Sequence, residues 1–296
     1  MGSKADQGYY LIMNPGSGGG ASKALFAEIH RQMILYRINY EYVVTTCLND
    51  AEEYSRQAAR AGFDVIVAVG GDGTINRVLN GFYHDDGTLI SDARLGVIYT
   101  GTSPDFCRSY GIPVRDPERA VAVLAAAKVR TIGIGRICFA DRTNRFFACC
   151  ANIGLGAGLA EAANGGIRER IGDKAGTFLS LVRMLAGYRP AELTVNGIRM
   201  PHVYNLSVGK TYYIASGLKI KHRMPLAKDE FYTLCIRRRP VTHIIRLYTG
   251  GRLPLQYRKK LMIKGNAGVE CDGDPCGRLP VVIKTAASIE VIYEGT

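Results

Sequence analysis

A continuous apolar segment that runs straight into a glycine-rich turn is the feature that most constrains the fold. Val65 to Val69 are all apolar, and Gly70-Gly71-Asp72-Gly73 follows them directly. A strand that is apolar on both faces is typical of a parallel sheet covered by helices on each side. Helical spacing then covers Thr74 to Phe82. The segment therefore predicts a strand, a turn and a helix of an α/β domain.

The rest of the first hundred residues repeats this alternation. Further strands are predicted at Tyr9–Met13, Tyr40–Thr45 and Leu95–Tyr99, and further helices at Lys23–Tyr36 and Asp50–Ala61. Such alternation indicates βαβ units with right-handed crossovers. We expect a doubly wound α/β nucleotide-binding domain over residues 1–130, and a C-terminal segment of about 282–296 is a candidate to return to it.

From about Thr131 the chain consists mainly of short β-rich segments separated by turn signals. They are Thr131–Arg136, Arg145–Asn152, Glu192–Val195, Val203–Gly209, Phe231–Arg237, Leu261–Lys264, Gly268–Glu270 and Ser288–Tyr293. Helical patterns interrupt them at Thr177–Ala186 and Val241–Thr249. This pattern predicts an antiparallel sandwich or barrel. The expected architecture is α/β plus β, with a β-rich sandwich domain over 131–281.

The net charge of +12, from 38 basic and 26 acidic residues, favours anionic partners. Nucleotide phosphates, lipid headgroups and nucleic acid all satisfy it. No RNA-binding or helix-turn-helix pattern accompanies the charge, so no nucleic-acid partner is expected.

No apolar stretch reaches the length of a membrane span, and the first residues lack the apolar core of a signal peptide. The expected location is the cytoplasm, with peripheral association at a membrane surface left open. The eight cysteines show no C-x-x-C pairing, which indicates reduced thiols.

Two glycine-rich turns follow strands in the first domain and carry the functional signal. They are Asn14-Pro15-Gly16-Ser17-Gly18-Gly19-Gly20 and Gly70-Gly71-Asp72-Gly73-Thr74. Glycine lets backbone N–H groups approach a phosphate, and the following helix offers its positive end to the same anion. A P-loop is excluded because Lys23 lies between Ser22 and Ala24, and a dinucleotide fingerprint because Asn76 stands where it needs glycine.

The strand and turn from Val65 to Gly81 resemble the diacylglycerol-kinase catalytic domain shared by bacterial lipid kinases and sphingosine kinases, within the NAD kinase superfamily. The resemblance also covers Asn14-Pro15-Gly16-Ser17-Gly18, the segment from Gly101-Thr102 to Asp105-Phe106, Asn152 to Gly156, Lys174 to Phe178, and Cys271-Asp272-Gly273-Asp274-Pro275. It extends over about 280 residues.

The resemblance implies that Mg²⁺ and ATP bind between the two domains, that the domain over 131–281 binds the acceptor, and that a lipid hydroxyl accepts the phosphoryl group. The implied nucleotide contacts are Asn14, Pro15, Ser17, Gly18, Thr45, Gly70, Gly71, Asp72, Gly73, Thr74, Asn76 and Thr102. Asp72 would organise the Mg²⁺, with Asp105 as a helper, and Asp272 or Asp274 would accept the proton of the acceptor hydroxyl. Without the resemblance, Asp272-Gly273 reads as a hairpin turn. A homodimer is open, since dimers occur in the family.

Three positions depart from the family pattern. Pro104 replaces the asparagine of G-T-x-N-D-F, which removes an amide side chain and an N–H. Asp274 replaces the glutamate of D-G-E and is one methylene shorter. Ala227-Lys228-Asp229-Glu230 replaces an acidic segment that holds a structural Mg²⁺ in bacterial members, so that site is expected to be missing or occupied by the Lys228 ammonium.

These departures leave three functional hypotheses. The first is a lipid kinase, the second a kinase of a non-lipid alcohol, and the third a nucleotide- or lipid-binding regulatory protein with little turnover. The acceptor, the choice between ATP and GTP, and the effect of Pro104 and Asp274 on activity stay open at the level of sequence.

Overall fold

The structure, a computed structural model, describes residues 8–47, 49–155, 188–211, 213–214, 218–220, 229–237 and 240–295. These residues form two compact units. The first unit holds the described residues of 8–134 and 286–295, and the second holds those of 135–214 and 218–285.

The first unit is built from six strands and five α-helices among its described residues, with strands numbered in chain order over the whole protein. The strands are β1 (Tyr9–Met13), β2 (Tyr40–Val44), β3 (Val65–Gly70), β4 (Arg94–Tyr99), β5 (Val129–Ile132) and β20 (Ile289–Ile292). The helices are α1 (Phe26–Leu35), α2 (Asp50–Ala61), α3 (Asp72–Asn80), α4 (Asp105–Tyr110) and α5 (Pro117–Ala126), and a 3₁₀ turn over Ala21–Leu25 precedes α1.

The six strands form one sheet in the order β2-β1-β3-β4-β20-β5, and only the β20–β5 pair is antiparallel. Leu11 and Val67 face one side, where they join a core with Ile29 of α1 and Leu124 of α5. Their neighbour Ile66 points to the opposite face and is also fully buried. Helices α2 and α3 pack against each other and against β1 and β3. The sheet is therefore covered on both faces, as the apolar β3 segment predicts.

The second unit is almost entirely antiparallel sheet. Its strands are β6 (Gly135–Phe139), β7 (Asn144–Phe147), β8 (Cys150–Gly154), β9 (Ala191–Val195), β10 (Ile198–Val203), β11 (Asn205–Gly209), β12 (Tyr213–Ile214), β13 (Leu218–Lys219), β14 (Phe231–Ile236), β15 (Gln256–Arg258), β16 (Lys260–Gly265), β17 (Gly268–Cys271), β18 (Asp274–Arg278) and β19 (Val281–Thr285), and its described helix is α6 (Pro240–Thr249).

Two six-stranded sheets make a sandwich in this unit. Their strand orders are β10-β9-β16-β19-β6-β7 and β15-β14-β11-β8-β17-β18, and β12 pairs with β13 separately. One apolar core joins the inner faces, with Leu193 and Ile263 from the first sheet and Ile153, Val208 and Phe231 from the second. The predicted fold class, an α/β domain followed by a β-rich sandwich, is confirmed.

Some local predictions differ from the structure. The single strand expected over Thr131–Arg136 is two strands, β5 in the sheet of the first unit and β6 in the sandwich. Gly133 and Ile134 separate the two strands, which pair with different partners. The helix expected over Thr177–Ala186 lies outside the described residues. In the part of the chain that the structure describes, no helix has both the length and the apolar character needed to cross a bilayer.

Candidate functional site

Three loops of the first unit follow the adjacent parallel strands β1, β3 and β4 and meet at their carboxyl ends, which is where ligands bind in open α/β sheets. The first loop begins at Asn14, whose Nδ2 donates a hydrogen bond of 2.9 Å to Oγ1 of Thr74 after β3. Asn14 Oδ1 accepts from the backbone N–H of Gly16 at 3.0 Å. The third loop begins at Thr100, whose Oγ1 donates to Oγ of Ser22 at 2.8 Å. The two glycine-rich turns predicted from the sequence are therefore neighbours.

The loops approach so closely that side chains would separate them. A Cβ on Gly101 would lie 2.5 Å from the Cα of Gly71, and a Cβ on Gly71 would lie 3.3 Å from Oγ of Ser17. A Cβ on Gly18 would lie 2.6 Å from the carbonyl oxygen of Thr100, and its φ of +63° also favours glycine. We name Gly18, Gly71 and Gly101 with their loops the glycine cradle. Because these positions have no side chains, the backbone of the cradle can approach a ligand closely.

Helix α3 points its N-terminus into the cradle. The helix begins at Asp72, and its N-cap residue, Gly71, has no side chain that could cap the first turn. The N–H groups of that turn precede the first intrahelical donor, Ile75, whose N–H bonds to the carbonyl of Gly71 at 3.0 Å. The helix dipole adds partial positive charge at the same place. An anion such as a phosphate is therefore favoured there.

Two carboxylates adjoin this helix end. The backbone N–H of Asp105, the first residue of α4, donates to Oδ2 of Asp72 at 3.2 Å. Asp105 is buried and Asp72 is half-buried. Within the described ranges, His, Cys, Asp and Glu side chains form no group of three or more that could hold a metal ion. One or two carboxylates suit Mg²⁺ that takes its other ligands from phosphates and water.

The other predicted nucleotide residues differ in exposure and contacts. Thr45 is buried, and its N–H donates to the carbonyl of Met13 at the end of β1. Thr102 is exposed on the third loop, and Pro15 is half-buried on the first. Asn76 is buried in α3, where its Oδ1 and backbone oxygen accept from Nδ2 of Asn80 at 3.2 and 2.8 Å.

Sequence reasoning did not identify several residues that shape the cradle. Nε of Arg115 donates to the carbonyl of Gly101 at 3.0 Å and brings a positive charge to the third loop. Ser22 and Thr100 are both buried and bond to each other. Tyr99, at the end of β4, is 1% exposed. Arg115 is 14 residues from its partner, so no motif spacing indicates the contact. Thr100 and Tyr99 adjoin Gly101-Thr102, which could have drawn attention to them.

The second candidate group lies in the second unit, at the turn between β17 and β18. Asp272 and Gly273 form a two-residue hairpin turn with φ angles of +48° and +93°, a combination that matches a type I′ turn. The carboxylate of Asp272 accepts hydrogen bonds of 2.9 Å from three consecutive backbone N–H groups, those of Ala148, Cys149 and Cys150. The hairpin turn that Asp272-Gly273 predicts without the family resemblance is present. The Asp272 side chain holds it to the connection between β7 and β8.

A buried polar network continues from this hairpin across the sheet. Glu270 accepts from Nδ2 of Asn152 and, at 2.7 Å, from the backbone N–H of Gly273. Asn152 Oδ1 in turn accepts from Nδ2 of Asn205 at 3.0 Å and from Oγ of Ser207. Burial raises the pKa of Glu270 to about 7 against the opposing effect of these hydrogen bonds. Asp274 begins β18 and is 7% exposed.

The raised pKa of Glu270 predicts a specific dependence of stability on pH. The pKa of the Glu270 carboxyl is near 4.5 in the unfolded chain and about 7 in the folded one. Its contribution to the stability of the fold is therefore complete below about pH 4.5 and is lost as the pH rises through about 7. We expect the free energy of unfolding of the wild type, relative to Glu270→Gln, to fall by about 3 kcal/mol over this window. Urea unfolding of both proteins at a series of pH values measures the difference.

Glu192→Gln is the matched control. Glu192 is exposed and paired with Arg199, whose hydrogen bond lowers the pKa of this carboxyl, so its window lies below pH 4.5. The difference between wild type and Glu192→Gln should stay constant from pH 5 to 8. A flat difference for Glu270→Gln as well would contradict the assignment.

The structural Mg²⁺ site expected to be missing falls largely outside the described residues, because 227 and 228 are not among them. Of the neighbouring acids, Asp229 pairs with Nζ of Lys259 at 2.6 Å. The carbonyl of Glu230 accepts from Nζ of Lys210 at 3.0 Å, and burial lowers the pKa of Lys210 to about 8. Lys210 therefore brings a buried ammonium to this segment, while the expectation for Lys228 stays a prediction.

Known proteins share both the sequence motifs and the fold. The sequence pattern of the diacylglycerol kinase catalytic domain matches residues 8–137. A diacylglycerol kinase of Bacillus subtilis is 32% identical over 185 residues, which cover 62% of this chain and 58% of that protein. A probable YegS-like lipid kinase of Stenotrophomonas maltophilia is 31% identical over 147 residues, 50% of this chain and 47% of that protein. The chain spans about half the length of the curated relatives it matches.

Solved structures extend the likeness of fold to the second unit. A crystal structure of a diacylglycerol kinase from Bacillus anthracis superposes with a TM-score of 0.75 over 99% of both chains at 19% identity. An NAD kinase from Archaeoglobus fulgidus in complex with ATP gives a TM-score of 0.53 at 14% identity, over 96% of this chain and 93% of that one. The resemblance predicted from the motifs is confirmed, and residues 8–137 match the diacylglycerol kinase catalytic domain family.

Proposed function

We propose that this protein transfers the γ-phosphoryl group of ATP to the hydroxyl of a lipid alcohol, as the names of its relatives suggest. The observation that carries the proposal is the glycine cradle, which brings three loops, a helix N-terminus and two carboxylates together in the first unit. Neither backbone donors nor acids alone would suit a nucleoside triphosphate with its cation. Together, the backbone donors suit the phosphates of the nucleotide and the acids suit its cation.

In this proposal the cradle holds the phosphates. Backbone N–H groups of Gly70 to Thr74, and those of Gly18 and Gly19 in the loop after Asn14, would donate to phosphate oxygens. Thr74 is already oriented by Asn14, so its hydroxyl position is defined before the nucleotide binds. Thr45 and Thr102, at the ends of neighbouring segments, would complete the contacts to the nucleotide together with Pro15, Ser17, Gly18 and Asn76.

Asp72 and Asp105 would hold Mg²⁺ on the phosphates. The residues fit this cation because both carboxylates adjoin the anion-binding end of α3 and supply only part of an oxygen shell. Bound Mg²⁺ neutralises the charge that develops on the transferring phosphoryl group. The protein positions the Asp72 carboxylate for this task through the hydrogen bond that it accepts from the N–H of Asp105.

In the second unit, Asp272 or Asp274 would accept the proton of the acceptor hydroxyl as its oxygen bonds to phosphorus and ADP leaves. A carboxylate within hydrogen-bond reach is the usual group for this task. The three N–H donors on Asp272 fix its orientation but also occupy much of its accepting capacity. Asp274, which lacks one methylene of the family glutamate, is the second candidate.

The test is ATP consumption by the whole chain with Mg²⁺ against lipid alcohols in mixed micelles and against short water-soluble alcohols. Diacylglycerol, a prenol and a sphingoid base represent the lipids, and glycerol represents the soluble acceptors. Lipid-dependent ADP release that stops when the Mg²⁺ is chelated supports the proposal. Turnover with glycerol alone would indicate a kinase of a non-lipid alcohol, and Mg·ATP binding without turnover on any acceptor would indicate a regulatory protein.

A further inference from the structure

The hydroxyl of Tyr99 lies where two loops of the glycine cradle meet. Tyr99 is the last residue of β4, and its side chain turns toward Gly101. A Cβ on Gly101 would lie 2.8 Å from Oη of Tyr99 and 2.5 Å from the Cα of Gly71. The phenol oxygen therefore lies beside the close contact between Gly71 and Gly101 in the glycine cradle.

This hydroxyl has no hydrogen-bond partner among the described residues, although Tyr99 is only 1% exposed. Two other buried tyrosines of the first unit donate to main-chain carbonyls. Oη of Tyr9 donates to Leu124 at 3.0 Å, and Oη of Tyr83 donates to Ala287 at 2.6 Å. Buried hydroxyls are nearly always paired, so one that is not requires an explanation.

Burial keeps the hydroxyl of Tyr99 protonated. Burial raises the pKa of Tyr99 strongly, and the carboxylates of Asp72 and Asp105 add to the effect, while Arg115 opposes it. Tyr99 is therefore a donor at neutral pH and lies within the field of the two acids proposed for Mg²⁺. Pro104, on the same loop, supplies neither an N–H nor an amide side chain, so a donor from Tyr99 adds to those that remain there.

We infer that the Tyr99 hydroxyl donates a hydrogen bond to a phosphate oxygen of the nucleotide bound in the glycine cradle. The inference rests on the proposed ATP-dependent function and makes Tyr99 a binding and positioning residue of that site. The fold removes this donor from water before a phosphate acceptor is bound, and a buried donor without an acceptor destabilises the folded protein.

Tyr99→Phe removes one oxygen and tests this role. We expect the Kd for Mg·ATP, measured by titration calorimetry on the whole chain, to rise about tenfold, as for the loss of one hydrogen bond to a charged acceptor. The Kd for adenosine, which has no phosphate, should not change. The midpoint of thermal unfolding without nucleotide should stay the same or rise, because the variant no longer buries an unsatisfied hydroxyl.

Tyr9→Phe is the matched control. It removes a hydroxyl that is buried in the same unit but bonded to Leu124, so it should lower the unfolding midpoint and leave the Kd for Mg·ATP unchanged. Equal Mg·ATP affinity of Tyr99→Phe and wild type would overturn the inference and leave the proposed function intact. A lower unfolding midpoint for Tyr99→Phe, as for Tyr9→Phe, would also overturn it. A wild type that does not bind Mg·ATP would overturn both proposals.

Discussion

Asp72→Asn is expected to reduce the proposed lipid-dependent ATP turnover about a thousandfold, the scale on which removal of one electrostatic stabiliser of the transition state acts. The substitution keeps the size of the side chain and an oxygen that can accept the N–H of Asp105. It removes the negative charge proposed to hold Mg²⁺ at the start of α3. Initial rates of ADP release over a range of Mg²⁺ concentrations measure the effect.

The same substitution at the other end of β3 provides the control. Asp64 immediately precedes the strand, and its Oδ2 accepts from the N–H of Gly8 at 3.1 Å. It therefore lies at the amino-terminal end of β3, whereas the cradle lies at the carboxyl end. Asp64→Asn should retain wild-type turnover. If Asp72→Asn kept turnover within a few fold of the wild type, with unchanged dependence on Mg²⁺, the assignment of Asp72 would be wrong.

Asp272→Asn is expected to lower the free energy of unfolding by about 3 kcal/mol. Asparagine tolerates the positive φ of this turn position, so the hairpin conformation itself is preserved. The amide offers one acceptor oxygen in place of two and directs its own N–H groups toward the backbone donors of Ala148 to Cys150. At least one of those donors is then left without an acceptor. Urea unfolding of both proteins measures the loss.

Asp141→Asn separates this effect from the general cost of removing a carboxylate from a turn. Asp141 lies in the exposed turn between β6 and β7 and accepts from the N–H and hydroxyl of Thr143. Water can replace the acceptor there, so the expected loss is below about 1 kcal/mol. Identical unfolding of Asp272→Asn and wild type would show that the three contacts do not anchor the hairpin.

The two candidate bases are distinguished by measuring both stability and turnover. Asp274 takes no part in the three bonds to the β7–β8 connection, so Asp274→Asn leaves that anchor intact. A drop in turnover for Asp274→Asn without the loss of stability expected for Asp272→Asn would favour Asp274 as the proton acceptor.

The sequence alone determined much of the first unit, because its signals are local. The apolar β3 segment, the helical spacing of α2 and the glycines after β1 and β3 each depend on residues that are close in the chain. Motif order also sufficed to predict the family resemblance and the fold class, since glycine turns and acids keep their order along the chain. The domain boundaries and the roles of the site residues stay predictions.

Only the tertiary structure decided which distant groups meet. Arg115 bonds to Gly101, 14 residues away. Asp272 bonds to the amides of 148–150 and Glu270 bonds to Asn152, and both contacts join residues more than a hundred positions apart in the sequence. The division of 131–136 between two sheets likewise follows from strand pairing and not from composition. Burial decided the rest, because Tyr99 and Glu270 have ordinary side chains whose properties change only when the fold removes them from water.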